Sequence, residues 1–135
     1  MTDLEKAKSL LVGDTTCVLV KGEEIITSNK NGIRPMMEFI KENLNLKGFS
    51  VADKIVGKAA AMLFRKAEIK EVYAEVLSVS AWQFLEEAKI KVTYKTLTDK
   101  IINRTKTGMC PMEETVLNIE DFEEGYLALK NKIGM

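Results

Sequence analysis

The sequence predicts an α/β protein, a three-layer α/β/α sandwich with a mixed sheet, and three observations support this prediction. Two apolar, β-branched stretches, Thr15 to Val20 and Glu24 to Ser28, flank the turn residues Lys21-Gly22-Glu23, which indicates a hairpin. Strand and helix patterns then alternate, which favours parallel strands joined by right-handed crossovers. Helical patterns at both ends of the chain would complete the outer layers. The hairpin is expected to add an antiparallel edge to the sheet.

The length and composition predict one domain, residues 1–135. A chain of 135 residues can bury about two thirds of its unfolded surface, which is enough for a core. No apolar run approaches the roughly 18 residues of a membrane span, and the N-terminus lacks the regions of a signal peptide. We therefore expect a cytoplasmic protein with no membrane partner.

The elements follow from capping and periodicity. Thr2 to Leu11 is typical of an amphipathic helix capped by Thr2 and ended by Gly13. The later predicted elements are a short helix after Pro35, a strand from Lys70 to Leu77, a helix from Ala81 to Ala88 with Ser80 as N-cap, a strand from Lys91 to Thr96, a short edge strand at Lys100 to Asn103, a helix after Cys110 and a helix within Asn118 to Ile133.

The stretch from Gly48 to Ala67 is predicted to be the central helix. Ser50, followed three residues later by Asp53, resembles a capping box, and apolar or small residues then recur at the helical period. Gly57 and the alanines after it would let another backbone approach closely. Asp53 has two interpretations, a capping residue or an acid facing a pocket.

The charge balance and the absence of histidine exclude several classes of function. Lys plus Arg and Asp plus Glu number 20 each, so no general nucleic-acid surface is expected. Without histidine there is no imidazole base and no histidine metal ligand. The two cysteines, Cys17 and Cys110, do not form a CxxC motif, so we expect no zinc and no other cofactor. Cys17 is interpreted as a small core residue.

Cys110 is a candidate nucleophile. Pro111 at the first position of a helix would leave Cys110 at the N-cap, where free N–H groups and the helix dipole favour a thiolate. Glu113 and Glu114 oppose the thiolate by their charge, but either could serve as acid or base. The alternative is that Cys110 only caps the helix and Glu113 completes a capping box.

Five further residues are candidate ligand contacts. Asn31, Gly32 and Arg34 form a polar loop before Pro35, and a guanidinium suits phosphate or carboxylate. Arg34 could instead be solvated or paired at the surface. Lys58 could reach an anion or Asp53, although Lys54, Lys58 and Arg65 also fit a solvated helical stripe. Ser80 is the fifth candidate ligand contact.

Three motifs carry a resemblance to a known family. NGIRP at residues 31–35, VADKIVGKAAAML at 51–63 and MCPMEE at 109–114 occur in this order. Nearly the whole chain resembles a small prokaryotic family of uncharacterised proteins with a cytidine deaminase-like fold. In deaminases of that fold, a hairpin precedes a helix bearing His-Ala-Glu, and a later helix opens with Pro-Cys-x-x-Cys. The resemblance implies the fold, the pocket location and a homo-oligomer.

The chain departs from the deaminase metal motifs. Residues 51–53 read Val-Ala-Asp where His-Ala-Glu would stand, and residues 79–83 contain no cysteine. Deamination in that class needs a metal-activated water and a carboxylate. The resemblance therefore implies a zinc-free protein that is not a functional deaminase.

Three hypotheses for the function remain open. The first is that a small ligand such as a nucleotide binds in the deaminase-type pocket, fixed by Asp53 and the loop from Asn31 to Arg34. The second is a cysteine-dependent enzyme or modified-thiol protein that uses Cys110 with Glu113 or Asp53. The third is an assembly or regulatory protein without catalysis, in which Met36, Met37 and Phe39 form a self-association surface.

Overall fold

The fold is a five-stranded mixed sheet with helices on both faces, in a computed structural model that describes residues 1–103 and 105–135. The helices are α1 (Asp3–Leu10), α2 (Arg34–Lys41), α3 (Lys58–Lys66), α4 (Val79–Glu87), α5 (Pro111–Val116) and α6 (Phe122–Ile133). The strands are β1 (Cys17–Lys21), β2 (Glu24–Ser28), β3 (Ser50–Val56), β4 (Glu71–Ser78) and β5 (Lys91–Thr98).

The sheet has the spatial order β2-β1-β3-β4-β5. The hairpin strands are antiparallel, and β1 is also antiparallel to β3. The strands β3, β4 and β5 are parallel to one another, and each connection contains one helix. The predicted α/β class, the hairpin and the mixed sheet are therefore confirmed.

The two faces of the sheet are covered unequally. On one face, Ala7 and Leu11 at α1 pack on Val18, Val20 and Ala52. The larger core lies on the other face, where α2, α3 and α4 bury apolar side chains against β1, β3 and β4. The helix α6 packs on α3 and on α5. The edge strand β5 is mostly exposed to solvent.

The prediction of one helix from Gly48 to Ala67 is wrong in its first half. Residues Ser50–Val56 form β3, which is hydrogen-bonded between β1 and β4, and the helix starts only at Lys58. The β-branched residues Val51, Ile55 and Val56 favour a strand, and Gly57 separates it from the alanine-rich helix. Neither Ser50 nor Asp53 caps a helix.

The capping predictions are confirmed at α1 and wrong at α4. Thr2 accepts from the Glu5 N–H, and the Glu5 carboxylate accepts in return from the Thr2 N–H, a complete capping box. At α4 the N-cap is Ser78, not Ser80, because its hydroxyl oxygen accepts from the Ala81 N–H at 3.1 Å. The predicted edge strand at Lys100 to Asn103 is reduced to one bridge between Ile102 and Met109.

Candidate functional site

A cavity of about 720 Å³ lies beside β3. Its wall is formed by Thr16, the loop from Asn31 to Arg34 before α2, the second half of β3, residues from 101–103, 105 and 110–112, and Ile133 at the end of α6. Most of this lining is apolar, and the volume suits a small organic molecule. A small number of polar groups in a mostly apolar wall can set the orientation of a ligand.

Asp53 is the one acid among the described residues that line the cavity, and it is buried. It lies in β3, opposite Cys17 of β1 and Ala74 of β4, and is 5% exposed. Its Oδ1 accepts a hydrogen bond from the Ile55 N–H at 3.4 Å. Burial raises the pKa of Asp53 to about 7, against the smaller lowering effect of hydrogen bonds from the Ile55 and Lys54 N–H groups. This carboxyl can therefore accept or donate a proton near neutral pH.

The loop before α2 brings Asn31 and Gly32 to the same cavity, and Arg34 reaches it from the first position of α2. The Arg34 side chain is 48% exposed, and its nearest carboxylate contact is Glu38, one turn along α2, at 3.9 Å. No side chain caps the N-terminus of α2. Arg34 therefore remains available to an anionic group of a ligand.

Cys110 also lines this cavity. It is the N-cap of α5, directly before Pro111, as predicted, and is partly exposed. Its side chain makes no capping hydrogen bond, so the interpretation of Cys110 as a capping side chain is wrong. Cys17 is fully buried, as predicted, and its thiol pKa is raised by burial first and then by the charge of Asp53. The two cysteine thiols therefore differ strongly in their exposure to solvent and reagents.

Glu113 is not in the cavity, and its side chain caps a different helix from the one predicted. Its Oε1 accepts from the Lys58 N–H at 2.8 Å and its Oε2 accepts from the Ala59 N–H at 3.0 Å, at the start of α3. Gly57 makes this possible, because a Cβ at that position would overlap the Glu113 carboxyl group. Burial raises the pKa of Glu113, while the two backbone donors and Lys58 lower it. Both carboxylate oxygens thus accept hydrogen bonds from backbone N–H groups. Glu113 is therefore not a free acid of the kind that catalysis requires.

Lys58 and Ser80 also lie apart from Asp53. The Lys58 side chain is buried, and its Nζ donates to the Leu117 carbonyl at 3.3 Å and pairs with Glu120 at 3.1 Å. The predicted solvated stripe is therefore wrong, and so is a contact of Lys58 with Asp53. Ser80 shares a hydrogen bond with Ser78, and a small cavity of about 70 Å³ is lined by Lys58, Ser80 and Glu113. The predicted site residues thus divide between two cavities. Asp53, Cys110 and residues 31–34 line the large one, and Lys58, Ser80 and Glu113 line the small one.

The predicted self-association surface is wrong for two of its three residues. Met36 and Met37 belong to the core of the protein, with 2% and 0% exposure. Phe39 is partly buried against the same core. These methionines cannot contact a second copy without unfolding of α2.

Several residues of the cavity were not anticipated from the sequence. Thr16 and Lys54 contribute polar atoms, and Lys54 is held by a 2.8 Å hydrogen bond from its Nζ to the Gly13 carbonyl. Ile55 and Ile102 are about half exposed at the cavity, which is unusual for large apolar residues. Their exposure becomes visible only when the strands and loops are placed in space.

No group of three or more Cys, Asp and Glu side chains able to hold a metal ion occurs in residues 1–103 and 105–135. Over the same ranges, no helix is both long and apolar enough to cross a membrane. The cavity offers a carboxyl, a guanidinium and a thiol, which can bind a ligand through hydrogen bonds and charge.

Residues 51–53 lie in a strand, not at the start of a helix as the deaminase motif does. The helix that follows the hairpin is α2, which begins Arg34-Pro35-Met36, so the alignment of residues 51–53 with His-Ala-Glu is wrong. Asp53 belongs instead to the strand after that helix. The candidate acid therefore lies on β3 and has no counterpart in the deaminase pattern described above.

Comparison with known proteins identifies the family. Residues 5–133 match the profile of the family described as TM1506, a domain of unknown function (DUF1893). The crystal structure of a DUF1893 family protein (TM1506) from Thermotoga maritima superposes with a TM-score of 0.87 at 29% identity, covering 98% of this chain and 91% of that one. A search of curated proteins finds no match. The chain belongs to the DUF1893 family.

Proposed function

We propose that this protein binds a small molecule, such as a nucleotide, in the cavity beside β3 and does not act as a deaminase. The observation that carries the proposal is the buried Asp53 carboxyl in the wall of a cavity of about 720 Å³. An apolar cavity with few polar groups, one of them a titrating acid, is typical of ligand sites. The hairpin, the mixed sheet and the helix after the hairpin support the cytidine deaminase-like arrangement.

The binding mode follows from the positions of the polar groups. Asp53 would meet one end of the ligand, and the loop from Asn31 to Arg34 would meet a phosphate or carboxylate. Ile55 and the other apolar side chains would pack on the faces of a flat ring.

Equilibrium binding to a panel of nucleosides, nucleotides and nucleotide sugars tests the proposal. The variant Ile55→Trp places a large side chain in the cavity and should abolish binding. The matched control is Ile25→Trp, which changes an exposed isoleucine of β2 outside the cavity and should bind as the wild type does. If the folded wild type binds no member of the panel, or if both variants bind equally, the proposal fails.

A second candidate function is thiol chemistry at Cys110, because Cys110 lines the same cavity as Asp53. Alkylation by iodoacetamide should occur at Cys110, be lost in Cys110→Ser and be slowed by a bound ligand. Cys17 should remain unmodified in the folded protein, since it is fully buried and its pKa is raised. Equal labelling of the two cysteines would contradict this candidate.

A further inference from the structure

Asp53 lacks a cationic partner within the described part of the chain. The ion pairs there involve Glu38, Glu68, Glu120 and Glu123, and none includes Asp53. Its hydrogen bonds come from backbone N–H groups, from Ile55 over a long contact of 3.4 Å and from Lys54. Buried carboxylates in proteins are usually paired or fully hydrogen-bonded. The remaining hydrogen-bonding capacity of Asp53 is therefore directed to the cavity that it lines.

The cationic groups of the cavity are more exposed than the acid. The Arg34 side chain is 48% exposed and Asp53 is 5% exposed, so the guanidinium lies toward solvent and the carboxyl toward the interior. The Lys54 ammonium is held by the Gly13 carbonyl. The cavity thus has a negative or acidic inner end and a positive outer end.

We infer that the ligand carries an amino or amidine group, which lies against Asp53, and an anionic group, which lies at Arg34. This inference rests on the proposed ligand-binding function and adds the class and the orientation of the ligand. An amino group donates to a carboxylate oxygen and supplies the partner that the chain does not provide. A carbonyl at the same place would face the carboxylate lone pairs and would bind less tightly.

The surroundings of Asp53 allow its protonation state to be varied. The titratable and charged groups near it are Cys17 on β1, Lys54 on β3, Arg34 at α2 and Cys110 at α5, and Ala74 faces it from β4. Because the pKa of Asp53 is raised to about 7 by burial, a modest change of pH converts it from acceptor to donor. A protonated Asp53 can donate to a carbonyl. The ratio of affinities for amino and carbonyl ligands should therefore be smaller at low pH.

The test uses pairs of nucleotides in which a carbonyl replaces the amino group expected to meet Asp53, and the adjacent ring nitrogen changes from an acceptor to an N–H donor. Cytidine and uridine 5′-monophosphates form one pair, and adenosine and inosine 5′-monophosphates form the other. At about pH 8 the amino member should bind about ten-fold more tightly, and at about pH 5.5 this ratio should shrink. Asp53→Asn should remove the preference at both pH values, because an amide both donates and accepts. The matched control is Asp14→Asn, an exposed aspartate outside the cavity.

The outer end is tested separately. In Arg34→Gln, both members of a pair should lose affinity equally, and the advantage of a monophosphate over its nucleoside should fall about ten-fold. Equal affinity for amino and carbonyl members in the wild type at about pH 8 overturns the inference while leaving the proposed function intact. Failure of the folded wild type to bind any of the four overturns both.

Discussion

Asp53 and Glu113 are both buried acids with a raised pKa, yet their surroundings differ in a way that separates structure from function. Glu113 has each carboxylate oxygen on a backbone N–H of α3, at 2.8 and 3.0 Å, and Gly57 leaves room for it. Asp53 accepts from the Ile55 N–H over a long contact of 3.4 Å and from the Lys54 N–H, and it lines a cavity. Burial alone therefore does not identify a functional acid. The shorter hydrogen bonds of Glu113 and the cavity beside Asp53 distinguish the two.

The largest expected effect concerns Asp53 and pH. Its folded-state pKa of about 7 lies above its ordinary value of 3.8, so the folded protein keeps a proton that the unfolded chain releases. The stability that this proton contributes is present below about pH 4 and is lost as the pH rises through about 7. The difference between the folded and unfolded pKa values of Asp53 corresponds to at most about 4 kcal/mol of unfolding free energy.

Asp53→Asn should therefore be more stable than the wild type at about pH 8 and should lose the dependence on pH between these limits. Urea unfolding at a series of pH values measures this. Asp14→Asn, at an exposed position, should follow the wild-type curve. Parallel curves for the wild type and Asp53→Asn would show that the carboxyl already has a partner in the folded protein.

Glu113→Ala should have the opposite sign. It leaves the Lys58 and Ala59 N–H groups without an acceptor at the buried start of α3, which we expect to lower the unfolding free energy by about 3 kcal/mol. Chemical denaturation at neutral pH measures the loss. The neighbour Glu114 is exposed, and Glu114→Ala should change stability by less than about 0.5 kcal/mol. Similar losses in the two variants would contradict the capping role.

Gly57→Ala should have a smaller effect, about 2 kcal/mol of destabilisation, because the added Cβ displaces the Glu113 carboxyl. Gly108→Ala is the matched control, since a Cβ there meets nothing within 4 Å. In the Glu113→Ala background, Gly57→Ala should cost much less, because the group with which it collides is absent. An undiminished cost in the double variant would place the strain elsewhere.

The sequence allowed much of the fold to be predicted, because local signals were strong. The hairpin turn, the N-cap Thr2 and Pro111 after Cys110 each act within a few residues, and each is found. The sequence pattern from Ser50 to Val56 does not distinguish helix from strand, because apolar residues in a short, buried run fit both periods. Only the pairing of β3 with β1 and β4 decides between them.

The candidate site was less predictable, because it too depends on contacts between residues that are distant in the sequence. Asp53, Cys110 and the loop from Asn31 to Arg34 were expected together and line one cavity. Glu113 was grouped with Cys110 because it is close in sequence, but its carboxylate meets residues more than 50 positions away. Long-range contacts of this kind leave no periodic signal in the chain, so Glu113, Lys58 and Ser80 could not be separated from the cavity in advance.

The exposed strand β5 has a consequence for how copies of the protein meet in concentrated solution. As an outer strand of the sheet, it presents backbone groups to which another strand could add. Lys91 and Lys95 lie along it, and strand addition between two copies would desolvate these ammonium groups and bring like charges together. We therefore expect the two lysines to disfavour edge-to-edge aggregation, a protection independent of the core and of the cavity beside β3.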